Sequence, residues 1–200
     1  MGLLIPFRVV SWNRIDLANI RHEDVNVSDI ACALSKICRF TGHIREFYSV
    51  AQHALMVAEL VQPRLKYAAL HHDDSEAYLG DVSRHLKHSE FLSGYRVLEE
   101  RAQTIIEHVM GIELNDEDRQ HIKAADDCLA VFEQYVLRKS KSWLGATHIL
   151  EATQEGFIRG ANIEATLAMA TKIPSTWQPF IALNPSQAER LFLSRHEEWS

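Results

Sequence analysis

The segment HHDDSEAYLGD at positions 71–81 brings two histidines, four acidic residues and a serine into eleven residues. Imidazole nitrogens and carboxylate oxygens bind divalent metals, and carboxylates also exchange protons with reacting groups. The segment directly follows the apolar residues 68–70. Burying a titratable side chain costs free energy unless it is paired. Such side chains next to an apolar run therefore indicate a functional site against the core of the protein.

Two further residues extend this pattern. His53 falls on the apolar face of a predicted helix, and Asp126 falls on the apolar side of KAADDCLAVF. Each has an ordinary explanation, because a histidine can sit in a core with its hydrogen bonds satisfied and an aspartate can form a buried ion pair. Together with His72 and Asp73, they predict a divalent-metal site with mixed nitrogen and oxygen ligands. Four protein ligands leave room for water and substrate, which favours a catalytic site.

Composition limits the class of protein. The chain has 200 residues, a formal net charge of −6 and eleven histidines, and no run rich in Lys and Arg. This balance disfavours a broad nucleic-acid surface, which needs many cations against phosphates. No apolar stretch approaches 18 residues, so we expect no membrane-spanning segment. The three cysteines form no CxxC pair and the N-terminus is a poor secretory signal, so we expect reduced thiols and a cytoplasmic protein.

The hydrophobic pattern predicts an all-α fold, a single-domain helical bundle. We expect an irregular N-terminal segment at 1–27, a helical core at 28–172, and a C-terminal extension at 173–200 whose last helix packs on the core or on a partner. No alternating strand pattern of any length is present. Helices are predicted at 28–39, 49–62, 64–78, 90–110, 116–139, 148–158, 161–172 and after Pro185.

Capping residues predict where several of these helices begin and end. Ser28 is the expected N-cap of the first helix, and Ser49 with Gln52 fits a capping box for the second. Asn115 precedes three acidic residues at the start of the helix that carries Asp126. Because the helix over 64–78 is predicted to be continuous, Glu76 would lie one turn beyond His72 on the same face.

Three blocks of sequence resemble the HD-domain metal-dependent phosphohydrolases. They are RFTGHIREFYSVAQHALMVAEL (39–60), ALHHDDSEAYLGDVSRHLK (69–87) and IKAADDCLAVFE (122–133). The order of histidine, histidine–aspartate pair and aspartate is that of the family, and the blocks look most like small bacterial 5'-deoxynucleotidases and phage deoxynucleoside triphosphohydrolases. The resemblance covers about residues 25–140. Asp74 departs from the pattern, because relatives usually have a small residue there, so we expect it to be a solvated charge.

The resemblance implies a role for each matching residue. His53, His72, Asp73 and Asp126 would bind the metal. Glu76 would act in catalysis together with Asp73, by orienting or deprotonating the attacking water. The implied substrate contacts are Arg39 for a phosphate and Asp81 for the sugar or leaving group. Further candidate contacts, for each of which a purely structural or solvent-exposed role is the alternative, are His43, Arg84 and Lys87.

The implied activity is hydrolysis of phosphate ester or anhydride bonds in (deoxy)nucleotides by direct attack of a metal-activated water, as a 5'-nucleotidase or deoxynucleoside triphosphate phosphohydrolase. The cofactor would be a divalent ion, with Mn, Co, Fe, Zn or Mg all compatible with the ligand types. A cyclic-nucleotide or (p)ppGpp-type hydrolase is an alternative, and a catalytically silent scaffold is an alternative of another class. Expected partners are a small nucleotide and, as in many relatives, a second copy of the chain, with neither nucleic acid nor membrane.

Overall fold

The computed structural model describes residues 5–138, 142–155, 163–177 and 180–200, and helices dominate it. Within these ranges the chain forms ten α-helices: α1 Val27–Leu34, α2 Val50–Leu60, α3 Lys66–Leu70, α4 Glu76–Leu79, α5 Arg84–Lys87, α6 Ser93–Val109, α7 Asp116–Glu133, α8 Ala146–Gln154, α9 Ile163–Ala170 and α10 Pro185–Trp199. Short 3₁₀ turns join several of them, and a π-helical turn, Gln134–Arg138, follows α7. The predicted all-α single-domain bundle is confirmed.

The N-terminal segment at 1–27 contains a short pair of strands. Two short strands, β1 Pro6–Arg8 and β2 Arg14–Asp16, pair antiparallel with Phe7 opposite Ile15. Three residues per strand are too few to show the alternation by which a strand is recognised in sequence. The connecting loop is attached to α1, because the backbone and side chain of Ser11 both donate hydrogen bonds to Asp29.

The N-caps of α2 and α7 agree with the sequence, that of α1 differs, and α10 adds a cap at Asn184 before the expected Pro185. Ser49 accepts a hydrogen bond from the amide of Gln52, Asn115 caps α7, and Asn184 caps α10 with Pro185 at its first position. The first helix, by contrast, is capped by Asn26 in place of Ser28, and it ends at Leu34. The Asn26 side chain accepts from the amides of residues 28 and 29, as an N-cap one position before the helix should.

The predicted helix over 64–78 is interrupted where the titratable residues lie. After a 3₁₀ turn, α3 ends at Leu70, residues 71–75 form a non-helical turn, and α4 begins at Glu76. The His72 ring contacts the Ala69 carbonyl through Nδ1 at 2.8 Å. Ala69 lies directly before the turn, and a side chain that bonds a nearby carbonyl offers the backbone an alternative to the helical ladder. The turn at 71–75 is called the ligand turn below.

Helix α2 lies at the centre of the bundle and packs on α3, α7 and α10. Its residues include the fully buried Ala51, Ala54 and Ala58. Alanines let neighbouring helices approach closely, and so the face that carries His53 is surrounded by protein. The side chain of Gln52 bonds the Ile181 carbonyl and the Leu183 amide instead of closing a capping box, and it holds the segment before α10 against the bundle.

The remaining helices follow the predictions with shifted ends. Helix α6 ends before Gly111, which has a positive φ of 67°, and α7 passes into its π-helical turn before residue 139. Helices α8 and α9 lie within the predicted 148–158 and 161–172 except for an earlier start of α8 at Ala146, and parts of both predictions fall outside the described residues. Among the described helices, none has the length and apolar character needed to cross a bilayer.

The last helix is an integral part of the bundle. Helix α10 contacts α1, α2 and α3, and its own residues Ala188 and Phe192 are fully buried. The Leu191 side chain, by contrast, is 38% exposed. Residues 188 and 192 are four apart and share a face, whereas 191 lies at the edge of that face.

We expect Phe192→Ala to lower the free energy of unfolding by about 3–5 kcal/mol, because it leaves a cavity in the core. Leu191→Ala is the matched control and should cost less than about 1 kcal/mol, because its side chain is largely solvated. Urea denaturation followed by circular dichroism measures both. Equal small effects would mean that α10 is not part of the stable core.

Candidate metal centre

Four predicted ligands converge from three parts of the chain. His53 comes from α2, His72 and Asp73 from the ligand turn, and Asp126 from α7. His53 Nε2 lies 3.1 Å from Asp126 Oδ1 and 3.8 Å from Asp73 Oδ2, and His72 Nε2 lies 3.2 Å from the same Asp73 oxygen. The ligand atoms of His53, His72 and Asp73 all lie within 4.8 Å of one another. Two nitrogens and one carboxylate therefore surround one small volume, and Asp126 borders it through its contact with His53 Nε2.

Both histidines present the same nitrogen to that volume. His53 Nδ1 contacts Glu133 Oε1 at 2.6 Å, and His72 Nδ1 contacts the Ala69 carbonyl at 2.8 Å. In a neutral ring whose Nδ1 donates to such an acceptor, Nε2 keeps its lone pair. His53 Nε2 itself lies 3.1 Å from Asp126 Oδ1. His72 Nε2 is buried and makes no aligned hydrogen bond among the described residues, although Asp73 Oδ2 lies 3.2 Å away. An oriented imidazole with a free Nε2 is how proteins prepare a histidine for a metal ion.

The carboxylates give this volume a strong preference for positive charge. Burial disfavours a charged His72, but the adjacent Asp73 outweighs burial and raises the pKa of His72 to about 9. Burial alone would raise the pKa of Asp73. The neighbouring His72 has the larger effect, so the pKa of Asp73 falls below its ordinary value. A proton on His72 and a metal ion would compete for the same place.

The two carboxylate oxygens of Asp126 face different partners, one toward His53 and one toward two basic side chains. Oδ1 faces His53, while Oδ2 lies 2.8 Å from Lys123 Nζ and 3.4 Å from Arg84 Nη2. Burial opposes ionisation of this carboxyl, but Lys123 and His53 outweigh it and hold its pKa well below the usual range. Asp126 is therefore a carboxylate at neutral pH, which is the form that binds a metal.

Glu133 is a site residue that the sequence reasoning missed. It is fully buried at the end of α7, where it accepts hydrogen bonds from Tyr48 Oη at 2.6 Å and Arg39 Nε at 3.1 Å in addition to its contact with His53. Its pKa is lowered, because Arg39 and His53 together outweigh the effect of burial. The signal was present, since Glu133 follows Asp126 by two helical turns within an apolar stretch.

Comparison with known proteins gives relatives but no activity. No family model matches the chain. The chain is 33% identical over 137 residues to the uncharacterized protein RCAP_rcc00048 of Rhodobacter capsulatus, and the match covers 63% of this chain and 69% of that protein. The chain belongs to the RCAP_rcc00048 family. It is also 42% identical over 93 residues to the uncharacterized protein YfdR of Escherichia coli (strain K12), a match over 46% of this chain and about half of YfdR, 51%.

In this member of the RCAP_rcc00048 family, the other candidate residues line one cavity of about 1170 Å³. Three of the candidate ligands, His72, Asp73 and Asp126, line it too. The residues that the cavity shares with the sequence predictions are Arg39, His43, His72, Asp73, Glu76, Asp81, Arg84, Lys87 and Asp126. The fold therefore brings every predicted catalytic and substrate-binding residue to the same opening. What each of them binds stays a prediction.

Arg39 lies between the ligand turn and the buried Glu133. Its Nε is committed to Glu133, and its Nη1 lies 3.9 Å from Asp73 Oδ2. Burial opposes the charge, but Glu133 and nearby aspartates outweigh it and raise the pKa of Arg39 further above its ordinary value. The guanidinium thus stays charged in a site that is mostly closed to solvent. The next residues, Phe40 and Thr41, have positive φ values of 56° and 54°, a strained conformation that clusters at functional sites.

Arg84 and Lys87 are already engaged with acidic residues. Arg84 Nη1 lies 2.6 Å from Asp127, and Lys87 Nζ lies 2.7 Å from Glu99 and 3.8 Å from Glu76. A purely solvent-exposed role for either side chain is therefore wrong, because each is at least partly buried in an ion pair. His43 is exposed at the cavity mouth, where it also lines an adjoining cavity of about 690 Å³.

Asp74 is buried, which corrects the expectation of a solvated charge. Its Oδ2 lies 2.6 Å from His71 Nδ1, and both side chains are fully shielded from solvent. His71 Nε2 in turn lies 3.0 Å from His196 Nδ1 on α10. The pair therefore turns away from the cavity and connects the ligand turn to the last helix.

Glu76 is 4% exposed, and its Oε2 is buried without a hydrogen-bond partner among the described residues. The helical relation to His72 that the sequence predicted is wrong, because His72 lies in the non-helical turn. The two residues nevertheless line the same cavity. Burial raises the pKa of Glu76 well above its ordinary value, and Asp73 and Asp81 add to that effect. Burial likewise raises the pKa of Asp81.

We expect Glu133→Gln to weaken binding of Mn²⁺ or Co²⁺ by about 10–100-fold, because a neutral amide orients His53 poorly and leaves Arg39 without its anion. Isothermal titration calorimetry measures the affinity, and a melting curve checks that the variant is folded. Glu113→Gln, at an exposed position, is the control and should bind as the wild type does. Unchanged affinity in a folded Glu133→Gln protein would rule out His53 as a ligand held by Glu133.

Proposed function

We propose that the chain is an HD-domain metal-dependent phosphohydrolase that removes phosphate groups from nucleotides. The observation that supports this most strongly is the grouping of His53 Nε2, His72 Nε2 and the carboxylates of Asp73 and Asp126 beside a buried carboxyl group that has an unpartnered oxygen. A structural metal site would need no such extra group. A cavity of about 1170 Å³ is also large enough for a nucleotide.

A divalent ion held by His53, His72, Asp73 and Asp126 would supply a Lewis acid that neutralises phosphoryl oxygens and acidifies water. Manganese, cobalt, iron, zinc and magnesium are all compatible with two imidazoles and two carboxylates. The orphaned Nε2 of His72 and the ionised Asp126 fit such an ion.

Glu76 is the proposed general base. A water molecule attacks phosphorus, the bond from phosphorus to the leaving oxygen breaks, and Glu76 takes the proton that the water loses. The same proton can then pass to the leaving oxygen. The products are phosphate, pyrophosphate or triphosphate, according to which bond to phosphorus breaks, together with the nucleoside or the shortened nucleotide. A carboxyl group with a raised pKa is suited to such an exchange near neutral pH.

Arg39 is proposed to bind the phosphoryl group that is transferred. Its Nε is fixed by Glu133, so the guanidinium is held in place before the substrate arrives, and its two terminal nitrogens can form paired hydrogen bonds with phosphate. Asp81 lines the same cavity and is proposed to contact the sugar or the leaving group.

Direct attack by water is proposed in preference to a phosphoenzyme. Two hydroxyl side chains, Thr41 and Ser83, line the cavity, but neither has a hydrogen bond to a histidine or a carboxylate among the described residues. A serine or threonine nucleophile needs such a base. Trapping experiments should therefore find no covalent phosphoprotein.

We expect metal-dependent phosphate release from at least one nucleotide in a screen of nucleoside and deoxynucleoside mono- and triphosphates. Metal-stripped protein is resupplied with Mn²⁺, Co²⁺, Zn²⁺ or Mg²⁺, and phosphate, pyrophosphate and triphosphate are measured. Glu76→Gln should lower the rate by about 10²–10⁴-fold, because it removes the base and keeps the shape. Glu113→Gln is the control.

The products also decide between the alternatives. Phosphate from monophosphates identifies a nucleotidase, and triphosphate from deoxynucleoside triphosphates identifies a triphosphohydrolase. Metal binding without turnover of any nucleotide would contradict the proposal and favour a scaffold. Turnover that survives Glu76→Gln would contradict the assignment of the base.

A further inference from the structure

One face of α6 carries three polar residues that all bond to the segment 71–87. Tyr95, Glu99 and Gln103 are four residues apart, so they form a single row along the helix, called here the α6 polar row. We propose that this row positions the ligand turn, Glu76 and Asp81 relative to one another; the catalytic meaning of that role rests on the proposed function.

Gln103 spans the ligand turn. Its Nε2 donates to the His71 carbonyl at 2.7 Å, and its Oε1 accepts from the Ser75 amide at 3.1 Å. These two backbone groups lie directly before and shortly after His72 and Asp73. Because residues 71–75 are not helical, backbone groups there need partners outside a helical ladder, and one side-chain amide supplies both. Gln103 therefore fixes the width of the loop that presents two of the four ligands.

Glu99 controls Glu76 through Lys87. Lys87 Nζ lies 2.7 Å from Glu99 Oε1 and 3.8 Å from Glu76 Oε1. The ammonium group is therefore held mainly by Glu99, close enough to Glu76 to affect it but not in a tight ion pair. If Glu99 lost its charge, Lys87 would be free to move onto Glu76 and occupy the proposed base.

Tyr95 holds the chain just before Asp81. Its hydroxyl donates to the Gly80 carbonyl at 2.9 Å. Gly80 has a φ of 81°, which lets the chain turn sharply out of α4 toward the cavity. The hydrogen bond from Tyr95 ties this turn to α6 and so sets the position from which Asp81 enters the cavity.

The segment needs this support because its own structure is weak. Helices α4 and α5 have four residues each, and helices of that length are not stable by themselves. Arg96, beside the row, adds bonds from its guanidinium to the carbonyls of Lys87 and Ser89. A 17-residue helix thus provides the rigid element for a segment that cannot be rigid alone.

Hydrogen exchange of the metal-free protein tests the row independently of the proposed function. In Gln103→Met, amide exchange over residues 71–81 should speed up about tenfold or more, because two hydrogen bonds to the backbone are lost. Exchange in α2 and α7 should stay as in the wild type. Thr104→Val, at the neighbouring exposed position, is the control for a change on α6 itself. Unchanged exchange over 71–81 in Gln103→Met would overturn the proposal.

A kinetic test uses two adjacent glutamates. Glu99→Gln should lower kcat about tenfold with little change in KM, because Lys87 then blocks Glu76, whereas Glu100→Gln on the exposed side should leave both constants unchanged. Gln103→Met should also weaken Co²⁺ binding about tenfold and alter the visible spectrum of the bound ion. Equal effects of the two glutamate variants would overturn the role of Glu99. A wild-type protein without metal-dependent turnover would instead contradict the proposed function, and hydrogen exchange alone would decide on the row.

Discussion

His53 contacts a fully buried carboxylate, Glu133, through Nδ1, and this contact determines where much of the site must lie. A carboxylate without solvent needs several partners, and Glu133 obtains them from Arg39, Tyr48 and His53. Those partners come from α2 and from the segment before it, so the contact joins α2 to the end of α7. It also leaves His53 Nε2 pointing at the carboxylates of Asp73 and Asp126.

Among the described residues, most of the charges around the cavity are arranged in ion pairs. Asp126 and Asp127 share Arg84 and Lys123, Glu99 holds Lys87, and Glu133 holds Arg39. Asp73 has no such close partner from a lysine or an arginine among the described residues, and its near neighbours are the two histidines. The cation that balances it is a proton on His72 or a metal ion, and this competition links the buried core to the proposed chemistry.

Much of the fold and of the candidate site could be predicted from the sequence. The features that could not be predicted were missed for physical reasons. The caps at Ser49 and Asn115 could be predicted because an N-cap is a local interaction. The four candidate ligands could be selected from the sequence because each is a polar residue on an apolar helical face or next to one. The break at residues 71–75 was not, because the pattern there is helical and side-chain hydrogen bonds override it. Glu133 and the α6 polar row were missed for a related reason, since their roles depend on distant partners such as Arg39 and Lys87 that periodicity does not identify.

The proposed metal site is tested most directly by a crystal structure of the protein grown with Mn²⁺, with anomalous diffraction data that locate the ion. We expect an anomalous peak that places the ion in contact with His53 Nε2, His72 Nε2, Asp73 and Asp126, while His53 Nδ1 stays bonded to Glu133. A structure at saturating Mn²⁺ that shows no peak among these four side chains would contradict it. So would a peak elsewhere, with His53 still in direct contact with Asp126.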